Sequence, residues 1–181
     1  ESTGSGGGIA DFSDTSSVTN IRKVRISDNA AIDGFSKGGG LYAPGIGALQ
    51  LNDCRITSNS AVIEGGGAWF SSDSVVISGT IIDSNSVGEE FVSGVGGGIF
   101  NSGSLVVEGS TQIDANIARG DSSMGGGIYV KDGMIIIQDS TMIEYNEAGH
   151  SGGGLYLSGI GSGLLEQSRL AANNAGKSGC G

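Results

Sequence analysis

The sequence predicts an all-β chain wound as one parallel β-solenoid of about six coils, three short strands to a coil, with a ladder of asparagines at one corner. Three observations carry this. A glycine triplet returns at Gly6, Gly38, Gly65, Gly96, Gly125 and Gly152, and a degenerate seventh, Gly179-Cys180-Gly181, opens a partial coil. An Ile or Leu followed three residues later by Asn rides with each full triplet, at Ile26/Asn29, Ile56/Asn59, Ile82/Asn85, Ile113/Asn116, Ile143/Asn146 and Leu170/Asn173. No stretch shows the 3.6-residue periodicity of an amphipathic helix, so helical repeats are excluded. The distance from triplet to Asn is 20 to 23 residues, whereas Asn to the next triplet varies from 6 to 11. Insertions are therefore confined to one corner, and residues 1–181 read as one domain.

The elements of a coil follow in order from the repeat that opens at Gly125. Its segments GIYV, MIIIQ and TMIEY are runs of β-forming residues separated by Gly-, Asp- and Asn-containing turns. In the first strand, the residue after the triplet is Ile9, Leu41, Ala68, Ile99, Ile128 or Leu155, always apolar, which places that column inside. The next residue then faces out, and it is Ala10, Tyr42, Trp69, Phe100, Tyr129 or Tyr156. This aromatic column is a candidate recognition strip for sugar faces or a neighbouring protein, or a self-stacking ladder, and it predicts a Trp69 that is partly exposed in the isolated chain. In the third strand the small residues Val24, Cys54, Thr80, Thr111, Thr141 and Ser168 form a column in which Cys54 is a packing substitute. At the corner, Asn29, Asn59, Asn85, Asn116, Asn146 and Asn173 tolerate left-handed backbone angles and can bond to one another from coil to coil.

The alternation of GGG[ILA] with [IL]xxN resembles the GGA[ILV] and FxxN repeats of polymorphic outer membrane proteins of the chlamydial type. More loosely, it resembles other microbial surface proteins with pectin-lyase-like β-helices. The resemblance covers essentially the whole chain. It implies a right-handed parallel β-helix, extracellular or at a cell surface, with structural or adhesive work. The chain departs from that pattern in two ways: Ile or Leu stands for Phe, and the third Gly usually stands for Ala, although Gly66-Gly67-Ala68 keeps the family form.

Composition narrows the function. Ile and Val together supply 30 residues, enough β-branched material for a core despite 36 glycines. A net charge of −10 disfavours nucleic acid and anionic lipid as partners. No apolar run is long enough to insert in a membrane as a helix, and the opening ESTGSGGG has neither the basic nor the apolar region of a signal peptide. Cys54 and Cys180 lack metal-site spacing, and no cofactor motif is present. No N-x-[ST] sequon occurs, so N-glycosylation is not expected.

Of the chemical constellations, the best is Asp83, Asp114 and Glu144, each two residues before a marker Asn. Such a ladder could bind a cation or hold a carboxyl of raised pKa. Arg25, Arg55 and Arg169 share its face, so charge compensation on a solvated surface is the simpler reading. Gly149-His150-Ser151-Gly152-Gly153 matches GxSxG but lacks the strand-to-helix elbow the motif needs. Arg119-Gly120-Asp121 is an integrin-type receptor motif lying in a long corner.

Together these observations predict a non-catalytic structural or adhesive solenoid. The alternatives are a polysaccharide-binding module and a glycan-active lyase or hydrolase of the same fold. The partners expected are other copies of the chain, joined end to end in an oligomer or fibre, and also glycans or a host receptor. End-to-end association is expected because no capping segment is recognisable. Cys180 lies about five coils from Cys54, which leaves it free or bonded to another chain at the junction.

Overall fold

A computed structural model of the chain describes residues 5–12, 14, 16–45, 47–89 and 91–176. The partial seventh coil and Cys180 lie outside the described residues. All regular structure among the described residues is β, and every pairing between the strands of the sheets is parallel. Equivalent segments of successive coils pair, so each wall of the solenoid is a sheet in which neighbours in space are one repeat apart in sequence. This topology removes side-by-side strand choice altogether, since each coil can bury its inward face only against the coils before and after it.

The first wall holds Ile9–Ala10, Leu41–Pro44, Ala68–Ser71, Ile99–Ser102, Ile128–Lys131 and Leu155–Ser158. Val18–Arg22, Ala48–Asn52, Ser74–Ser78, Ser104–Glu108, Met134–Ile137 and Ser162–Leu165 form the second. The third, containing the residues before each marker Asn, runs from Arg25–Ser27 to Arg169–Ala171. These are the three strands the sequence predicts. A fourth, two-residue wall follows the Asn corner, from Ser60–Ala61 to Asn174–Ala175. Its inward column is Ala31, Ala61, Val87, Ala118 and Ala148, small enough to let the last wall close against the first.

Inward and outward columns fall as the alternation requires. Leu41, Ala68, Ile99 and Ile128 are wholly buried in register, as are Ile56, Ile82, Ile113 and Ile143 of the third wall. Phe70, the bulkiest fully buried side chain, lies between the smaller Ala43 and Asn101 of the adjacent coils, and its own coil carries the small Ala68 where those coils carry Leu41 and Ile99.

The glycine triplet has a separate reason at each position. Its first residue adopts positive φ throughout, from 62° at Gly38 and Gly152 to 78° at Gly6. The second and third are close approaches: a Cβ on Gly127 would lie 2.6 Å from the Gly154 carbonyl oxygen and 3.1 Å from the Asn146 amide carbon. The Asn corner differs from the expectation in one respect. The left-handed residue is the one before each Asn, namely Asp28, Ser58, Ser84, Ala115, Tyr145 and Ala172, with φ between 51° and 60°. The turn they make points the following Asn amide inward.

Candidate functional site

Four features of the rod carry side-chain chemistry: the Asn ladder, the aromatic ladder, the acidic column and the long corners. In the first, every interior Asn is fully satisfied. Asn116 Nδ2 donates to Asn146 Oδ1 at 3.0 Å and to the Ile82 carbonyl at 2.9 Å, while its Oδ1 accepts from the backbone N–H and Nδ2 of Asn85 at 3.0 and 2.9 Å. The same bonds join Asn29 to Asn59, Asn59 to Asn85 and Asn146 to Asn173. A second ladder, not foreseen from spacing, runs through the small third-wall column. The Thr80 and Thr111 hydroxyls accept from the backbone N–H of Cys54 and Thr80, at 3.2 and 3.3 Å. Cys54 keeps its place there, its buried thiol donating to the Asn52 carbonyl at 3.3 Å.

The aromatic column stacks continuously. Ring centroids of Tyr42, Trp69, Phe100, Tyr129 and Tyr156 succeed one another at 4.9, 5.7, 5.4 and 5.4 Å, with interplanar angles of 29°, 2°, 10° and 15°. Phe12 closes the first ring edge-on at 5.8 Å. The outward direction is as expected, but the exposure is not: Trp69 retains 9% of its accessible surface and Phe100 3%. The cause is that each ring covers its neighbour. Around Trp69 the corner adds more, since Nε1 donates to Glu64 Oε2 at 2.6 Å and Lys37, paired with that carboxylate at 2.8 Å, lies 5.0 Å from the ring centroid. The ring faces are used on one another, leaving edges for any ligand.

Asp83, Asp114 and Glu144 do stack in register on the third wall. Burial, then the carboxylates of Asp83 and Glu144, raise the Asp114 pKa above its ordinary 3.8. Arg169 Nε lies 2.9 Å from Glu144 Oε1 without the alignment of a hydrogen bond, so this end of the column is compensated ionically. Arg25 instead donates to Ser27 Oγ at 3.1 Å. Among the described residues no three His, Cys, Asp or Glu side chains converge where a metal ion could sit. The column is a line of charges, not a cage.

Arg119-Gly120-Asp121 occupies the fourth coil's corner with both charged side chains exposed. Its backbone is fixed: Arg119 N–H donates to the Val87 carbonyl, and Ser123 N–H closes a turn on the Gly120 carbonyl at 3.0 Å. Residues 30–37 make the same turn, Ser36 N–H to the Asp33 carbonyl, so the tripeptide sits in a recurrent structural turn. At the following corner His150 Nδ1 lies 2.6 Å from Ser151 Oγ. Ser151 is buried in a bridge to Met124, with no helix after it, and so is not a nucleophile elbow.

No family model, curated protein or solved structure matches the chain.

Proposed function

We propose that the chain is a non-catalytic extracellular structural or adhesive element, a rod that associates end to end with further copies. The observation that carries this reading is the continuity of the inward apolar columns. Val130 and Ile137 are wholly buried, while their partners in the last described coil, Leu157 and Leu165, keep 37% and 46% of their surface. A further coil on that face, of a longer chain or of another copy, would bury them as the interior coils bury their equivalents, at roughly 25 cal/mol per Å² of apolar surface. Association of this kind does not close on itself and generates filaments. The extracellular placement, the right-handed winding and a kinship with polymorphic outer membrane proteins rest on the resemblance of the repeat. Receptor binding through Arg119, Gly120 and Asp121 is the adhesive route compatible with the exposure of Arg119 and Asp121. Electron microscopy of the native material tests the proposal: rods lengthening in steps of about 30 Å, six coil rises, support it, and single short rods at every concentration refute it.

One observation favours a second reading, glycan hydrolysis or elimination, because the raised pKa of Asp114 suits a general acid. Turnover of neutral or polyanionic polysaccharides, with or without calcium, that is abolished by Asp114→Asn would establish that reading in place of the first.

A further inference from the structure

The outer face of the second wall is aliphatic along its middle. Val75, Ile77, Leu105, Val107, Ile135 and Ile137 are buried in the core, so the residues alternating with them point out of the solenoid. Down the centre of that face run Asn20, Gln50, Val76, Val106, Ile136 and Leu164, in register from coil to coil. The column is polar on the first two coils and apolar on the next four, a stripe about 14 Å long at the interstrand rise. Leu164 keeps 47% of its surface and Met134, beside the stripe, 45%, while Val76, Val106 and Ile136 are half-buried. The other broad walls differ: rings cover one another on the first, and the third carries Asp83, Asp114 and Glu144.

Strand propensity accounts for Val and Ile in this column but not for the columns that border it. Ser74, Ser104 and Ser162 lie on one side, short enough to leave the stripe standing clear, and Ser78, Glu108, Gln138 and Glu166 follow on the other. Gln138 Nε2 donates to Glu108 Oε2 at 2.8 Å, which holds that carboxylate along the border. An aliphatic stripe with hydroxyls on one side and carboxylates on the other is complementary to itself.

We infer that this face packs against the same face of a second copy of the chain, the two rods lying parallel about a two-fold axis along their length. About that axis the middle column meets itself coil for coil, Val106 on Val106 of the partner subunit, while each border meets the opposite one. Ser104 then faces Glu108 of the partner subunit, and Ser162 faces Glu166 of the partner subunit. Hydroxyls thus donate to carboxylates, and no carboxylate faces another. Antiparallel rods would instead set Leu164 on Asn20 and Ile136 on Gln50, burying amides against aliphatic chains. A wall about 17 Å wide and about 29 Å tall removes about 1,000 Å² from water when two copies meet, the lower edge of specific interfaces. The pairing is therefore weak and reversible. It uses the side of the rod and does not rest on end-to-end association.

The test is small-angle X-ray scattering of the full chain over a concentration series, read as the radius of gyration of the rod's cross-section, which lateral pairing enlarges and end-to-end growth does not. The expected result is a cross-section that increases with concentration. Val106→Arg and Val106→Asp should each move that increase to concentrations about tenfold higher or more, since each sets like charges face to face. An equimolar mixture of the two variants should restore pairing, because position 106 meets itself. The position faces outward, so both variants keep the fold, and thermal melting checks this. The inference is overturned if the cross-section stays constant up to the solubility limit, if the mixture pairs no better than either variant alone, or if Val106→Arg pairs instead with Val76→Asp, the mark of antiparallel rods. Amide shifts at Val76, Val106 and Ile136 that appear on adding cellohexaose and not on raising the protein concentration would assign the face to a glycan and overturn it as well.

Discussion

A single interior asparagine concentrates the argument at the residue scale. Removing the Asn116 side chain strands the Ile82 carbonyl and the Asn85 backbone N–H, both buried, and breaks the chain of amides. Asn116→Ala is expected to cost about 3 kcal/mol or more in denaturant unfolding, against about 0.5 for Asp121→Ala in the exposed turn. Equal losses would contradict the ladder. Asp114 gives a pH-dependent counterpart. Because its folded pKa is raised above 3.8, its protonated form favours the fold; that contribution is full below the unfolded value and lost as pH rises through the folded one. Asp114→Asn should therefore be more stable than the parent at pH 7 and converge with it near pH 3, as followed by thermal melts across pH. Spacing alone made the Asn column legible. It did not reveal the left-handed residue before each Asn, because Asp, Ser, Ala and Tyr all occupy that place and stacked coils, not local propensity, impose the turn.

At the scale of the element, the aromatic column shows where sequence reasoning stops. Alternation along the first strand assigns its direction correctly, since residues either side of it are core. Burial is a property of neighbours that touch only after coiling, so the closure of Trp69 between Tyr42 and Phe100 had no local signature. The measurable consequence is weak quenching of Trp69 fluorescence by acrylamide in the isolated chain; quenching near that of a free indole would show that the rings do not stack. Phe100→Ala, which removes a ring flanked on both sides, should cost about 3 kcal/mol or more. Tyr156→Ala, flanked on one side among the described residues, should cost markedly less. The fourth wall was unreadable for a related reason: its strands are two residues long and carry an apolar signal too brief to separate from a loop.

For the whole molecule, stability is a sum over coils and their interfaces, so the middle coils with two neighbours should outlast the outer ones. The period of the glycine triplets disclosed this one-dimensional order, whereas the recess at Gly103, a one-residue corner stacked between two-residue corners at Ser72-Asp73 and Asp132-Gly133, is invisible until the coils are aligned. The proposed end-to-end association would add an interface at the last described coil. Residue-resolved amide hydrogen exchange at low and high protein concentration reads both at once. The account predicts that Ala68–Ser71 and Ser104–Glu108 stay strongly protected at either concentration, while Leu155–Ser158 and Ser162–Leu165 exchange readily when dilute and gain protection when concentrated. Exchange in those last strands that is indifferent to concentration would contradict the proposal that the rods assemble through their ends.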